Sequence, residues 1–261
     1  MKLGIIGKGF VGSAVAHGFD KDCDQVIVDP KYTDNEITDV LDCKLVFVCV
    51  PTPPNEDGSI NVDIVNDVLI ELSMRDYKGV VVVKSTIIPD YLHEFKKEFD
   101  LKIVYNPEFL TELNANEDFK NPPFQVFGGK WRDCEVVEKA YLRHSSVRIV
   151  PTFKVDLTTA SLLKYTINSW LATKVTFFNE LKQLHELGSS MVSWEQFTDM
   201  LSRDERMGSS HMKVPGPDGQ PGFGGHCFPK DTEALLHYAN NKNIKMSVLR
   251  KAVQTNKKLR D

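Results

Sequence analysis

Apolar residues in the first part of the chain come in short runs, and stretches with helical spacing fall between them. The runs at 2–6, 25–29, 45–50, 79–86, 101–105, 124–127 and 147–150 read as strands. Residues 45–50, Leu-Val-Phe-Val-Cys-Val, are apolar without alternation, as in a parallel strand buried on both faces. Residues 13–19, 62–74, 89–99 and 132–144 have helical periodicity, and 106–113 reads as the opening of a short helix. Repeated strand–helix units of this length predict an α/β fold with a doubly wound parallel sheet. After Pro151 the pattern changes. Residues 155–187 contain neither Pro nor Gly, and Leu162, Leu163, Ile167, Trp170, Leu171, Val175, Phe178, Leu181 and Leu184 recur at helical spacing. One long helix ending near Gly188 is expected. Ser193 and Gln196 have capping-box spacing at the head of a helix over 193–201, and further helices are expected at 231–240 and 246–259. The chain therefore divides into a sheet domain, 1–152, and an all-helical domain, 153–261.

The first turn carries candidate chemistry. Residues 7–12, Gly-Lys-Gly-Phe-Val-Gly, follow a strand and precede a helix, and Asp29 ends the next strand 22 residues after Gly7. This is the full context of a dinucleotide fingerprint in a Rossmann-type unit. Gly7, Gly9 and Gly12, with Phe10 and Val11 between them, would bring a pyrophosphate to the helix N-terminus. Asp29 would bind the adenosine ribose and repel a 2′-phosphate, which selects NAD over NADP. Thr52, Ser85 and Thr86 fall at the ends of strands, where open α/β sheets bind ligands. Each on its own is more readily read as a cap or turn residue.

Composition narrows the class. A formal net charge of -4 without a long basic run argues against nucleic-acid binding, and the apolar runs are too short to cross a bilayer. The N-terminus runs into Lys8 and glycines rather than a signal-peptide core, so a cytoplasmic protein is expected. Five cysteines without a CxxC pair fit neither a disulfide framework nor a zinc site, and no metal is expected.

One of those cysteines stands apart. Residues 222–231 read Gly-Phe-Gly-Gly-His-Cys-Phe-Pro-Lys-Asp, between a Pro/Gly-rich run and a helical pattern. Cys227 falls where a glycine loop meets a helix start, which favours a thiolate. Lys230 adds positive charge, and Asp231 shares its helix face at i+4. The plainer reading is a buried, inert thiol beside a turn. Glu108 with Glu112 and Lys164 with Asn168 repeat the i, i+4 spacing. Like charges at that spacing cost stability unless something between them needs both, and the plainer reading of Lys164 is a stem snorkelling to solvent.

Seven motifs now stand in one order: the glycine turn, Val-Pro-Thr-Pro at 50–53, Lys-Ser-Thr at 84–86, and Asn-Pro-Glu-Phe-Leu-Thr-Glu at 106–112. Lys164-x-x-x-Asn168, Phe-Phe-Asn-Glu-Leu at 177–181 and the cysteine loop follow. Together they resemble the UDP-glucose/GDP-mannose dehydrogenase family, over nearly the whole chain. The resemblance implies NAD-dependent oxidation of a sugar-nucleotide primary alcohol, UDP-glucose foremost, to the carboxylate in two rounds. It implies Cys227 as the nucleophile, through a thiohemiacetal and a thioester, with Glu108 as general base and Asp231 positioning or activating water. Lys164 and Asn168 would stabilise oxyanions, and Thr86 would reach the reacting centre through water. Thr52, Ser85 and Glu112 would lie at the cofactor, and Phe109, Leu110, Glu112, Phe223 and Gly224 at the substrate.

The family carries a third, α/β unit that helps hold the substrate nucleotide, and no second set of parallel strands is legible before Asp261. That unit is expected to be missing from this chain, either lost, or supplied by a separate chain, or left out because the sequence is a fragment. Two rivals stay open: an NAD-binding relative without turnover, and a single-step 3-hydroxyacid-type dehydrogenase, for which the cysteine loop has no use. A homodimer is expected, because Val248, Leu249, Val253 and Leu259 need a partner surface if nothing follows them.

Overall fold

The computed structural model describes residues 1–111 and 114–261. By its contacts the chain falls into two compact units, Met1–Pro53 with Ile60–Lys164, and Pro54–Ser59 with Tyr165–Asp261.

The first unit is a sheet unit. Strands β1 (Lys2–Ile6), β2 (Asp24–Val28), β3 (Leu45–Val48), β4 (Val80–Val83), β5 (Lys102–Tyr105), β6 (Gln125–Gly129) and β7 (Thr152–Val155) form one sheet in the order β2-β1-β3-β4-β5-β6-β7. The helices are α1 (Phe10–Gly18), α2 (Asp63–Met74), α3 (Pro89–Glu98), α4 (Ala115–Lys120) and α5 (Trp131–His144). All junctions are parallel except β5–β6, which is antiparallel. The fold is Rossmann-type. Strand order reverses between β1 and β3, so the turn after β1 and the Pro51-Thr52 stretch after β3 both leave the sheet at its switch point, where such sheets take ligands. β3 and β4 are buried along their whole length, as their unbroken apolar sequences require. The core gathers Phe19, Phe47, Phe119, Phe127 and Tyr141, with ring centroids of neighbouring pairs 4.9–6.4 Å apart.

Two expectations in this unit fail. The last strand is Thr152–Val155, not 147–150: Gln125 N–H donates to the Pro151 carbonyl, which sets the β6–β7 register one step beyond that proline. Residues 106–111 are not helical, so Glu108 occupies no helix face. Pro107 disfavours the helical region for Asn106, and Glu108 is held instead by an ion pair with Lys84. Glu112 lies outside the described residues, so the expected Glu108/Glu112 pairing cannot be read from it.

The second unit is helical: most of α6 (Leu157–Leu187), then α7 (Trp194–Ser202), α8 (Cys227–Asn241) and α9 (Ser247–Arg260). The capping box heading α7 forms in full, with Gln196 N–H donating to Ser193 Oγ and Ser193 N–H to Gln196 Oε1. Phe178, Trp194 and Met212 centre its core. α8 starts four residues earlier than its apolar pattern suggested, at Cys227 itself. In α9, Leu249 and Val253 are buried within the chain while Val248 is exposed. The apolar face that motivated a dimer through this helix is therefore already covered. Among the described residues no helix is long and apolar enough to cross a membrane.

Candidate active site

The glycine turn after β1 is shaped by close backbone approach. A Cβ on Gly12 would sit 1.9 Å from the Gly7 carbonyl oxygen, and Gly7 has φ +91°, so neither position admits a side chain without strain. At Gly9 a Cβ would meet nothing within 4 Å, and the space above the start of α1 is open. The first turn of α1 carries no acidic residue, which leaves its positive end free to face an anion. Asp29 accepts from the Lys8 N–H at 2.6 Å and the Lys31 N–H at 2.9 Å, so its carboxylate is tied to the turn. Phe10 is exposed, and Val11 packs on the sheet core. These features fit a dinucleotide.

At the neighbouring strand ends, Thr52 Oγ1 donates to the Thr86 carbonyl (3.1 Å) and Ser85 Oγ to the Val50 carbonyl (2.6 Å). The two segments are thereby laced together. Thr52 and Ser85 are buried and Thr86 is half-buried. Beyond β4 the Lys84 ammonium is fully buried and ion-paired with Glu108, whose carboxylate is half-buried. Burial pushes Lys84 down to about 7, and repulsion from Lys164 adds to the shift. The Cys49 thiol works in the opposite sense. Next to Glu108, Phe109 lies under the Lys164 ammonium, 5.5 Å from Nζ to the ring centroid, and Leu110 packs against the sheet core.

In the helical unit Cys227 is the first residue of α8, half-buried, with no acidic residue in that turn. Asp231 follows one turn later on the same face. Its buried carboxylate accepts from Asn168 Nδ2 (2.6 Å) and from Lys230 Nζ (2.7 Å). Lys230 is thus ion-paired with Asp231. Lys164 and Asn168, one turn apart on α6, are both buried, which overturns the snorkelling reading of Lys164.

The glycine loop ahead of Cys227 is held by residues that spacing alone did not single out. Asn256 clamps Phe223 at both backbone groups: its Oδ1 accepts the Phe223 N–H (2.6 Å) and its Nδ2 donates to the Phe223 carbonyl (3.0 Å). Asn179 Oδ1 accepts the Gly222 N–H at 2.9 Å. A Cβ on Gly222 would strike Asn256 Oδ1 at 2.4 Å, and one on Gly224 the Arg260 guanidinium at 2.6 Å. Phe223 is buried in this clamp. The available signal was the lone asparagine on the buried side of α9, beside Leu249, Ala252 and Val253. For Lys84 it was a lysine directly after four buried valines. Among the described residues no cluster of His, Cys, Asp and Glu could hold a metal ion.

The NAD binding domain of the UDP-glucose/GDP-mannose dehydrogenase family matches residues 29–144, and the central domain of the same family matches residues 158–258. The chain belongs to the UDP-glucose/GDP-mannose dehydrogenase family. This family consists of NAD-dependent sugar-nucleotide dehydrogenases, and the sheet unit is its NAD-binding domain. Similar relatives include the UDP-glucose 6-dehydrogenase of Rickettsia felis, 33% identical over 237 residues, or 87% of this chain and 50% of that protein. The GDP-mannose 6-dehydrogenase of Azotobacter vinelandii is 30% identical over 244 residues, 86% of this chain and 53% of that protein. The chain spans about half the length of the curated relatives it matches. Among solved structures, a UDP-glucose dehydrogenase from Pyrobaculum islandicum superposes with TM-score 0.83 at 25% identity, covering 98% of this chain and 68% of that one. A Mycobacterium tuberculosis 3-hydroxyisobutyrate dehydrogenase has TM-score 0.74 at 14% identity, covering 98% of this chain and 92% of that one, a likeness of fold alone.

Proposed function

We propose that this family member oxidises the primary alcohol of a sugar nucleotide, UDP-glucose foremost, to the carboxylate, using Cys227 as a covalent anchor. The observation that carries the reading is Cys227 at the head of α8, one turn before a buried Asp231 held by Asn168 and Lys230. NAD, bound at the glycine turn with Asp29, Thr52 and Ser85 in the cofactor site, supplies the hydride acceptor for both two-electron oxidations. The Cys227 thiolate adds to the intermediate aldehyde to give a thiohemiacetal, and removal of two electrons leaves a thioester. Water then cleaves the C–S bond, releasing the carboxylate and returning the thiol. Glu108 takes the proton from that water, and Asp231 positions it. Lys164 and Asn168 bear the negative charge that develops on the substrate oxygen. Thr86 reaches the reacting centre through water, and Phe109, Leu110, Phe223 and Gly224 line the sugar.

A panel of UDP-glucose, GDP-mannose and UDP-N-acetyl sugars, with NADH formation followed, tests this reading. Turnover with one of them supports it. NAD binding without turnover on any of them sinks it and leaves an NAD-binding relative.

We also infer a homodimer formed through α6. Trp170, Phe177 and Leu184 repeat every seven residues on that helix and are 64%, 55% and 67% exposed, an apolar stripe of the kind that pairs with a second copy. Light scattering at micromolar concentration is expected to give twice the chain mass, and a monomer refutes the inference.

A further inference from the structure

We propose that Lys84 is the positioning residue that keeps the Glu108 carboxylate ionised and fixed in direction. The inference rests on the reading of Glu108 as the general base. Its physical content, the ionisation of one carboxyl group, is measurable without turnover.

The argument begins with burial. The Lys84 side chain is 0% exposed, and a buried ammonium persists only where oxygens surround it. Three do so here: the Glu108 carboxylate, Asn106 Oδ1 at 2.8 Å and Tyr141 Oη at 3.2 Å. The two neutral partners have no freedom to turn away. Asn106 donates its Nδ2 to the Val126 carbonyl at 2.9 Å, which fixes Oδ1 toward Lys84. Tyr141 spends its hydroxyl proton on the same Oδ1 at 2.7 Å, which leaves a lone pair for the ammonium. Faces of Phe119 and Tyr141 complete the enclosure, 5.6 and 5.9 Å from Nζ to ring centroids. The cage is drawn from the residue after β4, the irregular stretch after β5, and helices α4 and α5.

Glu108 benefits from this construction. Its side chain is only 14% exposed, and burial alone would favour the neutral acid. An ammonium that cannot move away offsets that effect and sets the direction of the carboxylate. The other titratable groups facing Lys84 are the Cys49 thiol, the Tyr141 phenol and the Lys164 ammonium. Cys49 and Tyr141 are both pushed up by burial and stay neutral across the working range, Cys49 to about 12. Lys164 repels Lys84. Burial brings Lys84 itself to about 7, so its charge is fullest on the acid side of neutrality, where Glu108 most needs a counter-charge.

The test is a carboxyl titration of the full chain labelled with 13C-glutamate, the Glu108 signal being assigned by its loss in Glu108→Gln. Wild type is expected to titrate below the ordinary glutamate range, near 4.3. Lys84→Met, matched in length, is expected to raise the midpoint by at least about one pH unit, a tenfold change in proton affinity. Lys84→Arg restores the low midpoint. The acid limb of the kcat profile, where turnover is present, is expected to move to higher pH in Lys84→Met and not in Lys84→Arg. A wild-type midpoint above the ordinary range overturns the proposal, even if Lys84→Met fails to fold. An unchanged midpoint in a folded Lys84→Met overturns it too. Absence of turnover would instead strike the general-base reading and leave the titration intact.

Discussion

Lys84 in the sheet unit and Asn256 in the helical unit are both buried polar side chains, and they are used differently. Lys84 binds other side chains: a carboxylate, an amide and a phenol. Asn256 binds the backbone of a glycine loop. In the sheet unit regular strands already fix the main chain, so side chains are free to tune one another's charge. In the helical unit the loop before Cys227 has no ladder, and an amide must replace the hydrogen bonds that a strand would have supplied. At Lys84 side chains set one another's charge, and at Asn256 a side chain holds the backbone of the loop.

The sharpest way to break this contrast is at the glycine turn, where the main chain of the sheet unit itself shapes the site. Gly12→Val drives a Cβ into the Gly7 carbonyl. It is expected to cost at least about 3 kcal/mol, as overpacking does at its upper range, and to abolish NAD binding. Calorimetry of the variant with and without NAD checks both, and an unshifted melting temperature contradicts the account.

The thiols divide along the same line. In the sheet unit burial pushes Cys43 and Cys134 up to about 11 and Cys49 up to about 12. A raised thiol holds less thiolate at a given pH, so at pH 8 roughly 10⁻³ to 10⁻⁴ of each is reactive, and reactivity rises only as pH climbs toward 11–12. Cys227, half-buried at a helix start, is expected to be alkylated by iodoacetamide at least about 10²-fold faster than these three. Mass spectrometry of a time course measures it. Labelling of Cys49 alongside Cys227 would erase the distinction.

A smaller effect is expected at the clamp. Asn256→Ala leaves the Phe223 N–H and carbonyl without their partner, at a cost of about 2–4 kcal/mol for two buried groups. With turnover present, KM is expected to rise more than kcat falls, because the clamp shapes the loop proposed to line the sugar. The smallest effect belongs to the exposed Arg203–Asp199 pair at the C-terminal end of α7, where Arg203→Ala is expected to change stability by less than about 0.5 kcal/mol.

Much of this architecture was legible because it is written in local spacing. The glycine turn, the fully apolar strands, the long proline-free helix and the capping box at Ser193 each depend on residues within a turn or two. Cys227 and Asp231 were legible for the same reason. What escaped depends on partners far apart in sequence. Lys84 meets Asn106 and Tyr141 across 22 and 57 residues, and Asn256 meets Phe223 across 33. The helix expected from 106 failed on a similar conflict, since the Pro107 constraint and the pull of Lys84 on Glu108 outweigh a short helical pattern. The strand expected at 147–150 failed because an apolar run does not specify register, and the Gln125–Pro151 hydrogen bond does.

The central claim is that one cysteine carries a substrate through two oxidations. The most direct measurement counts NADH formed per sugar nucleotide consumed, in wild type and in Cys227→Ser. The account predicts two NADH per sugar in the wild type and none sustained in the variant. One NADH per sugar, or a full yield from Cys227→Ser, would contradict it.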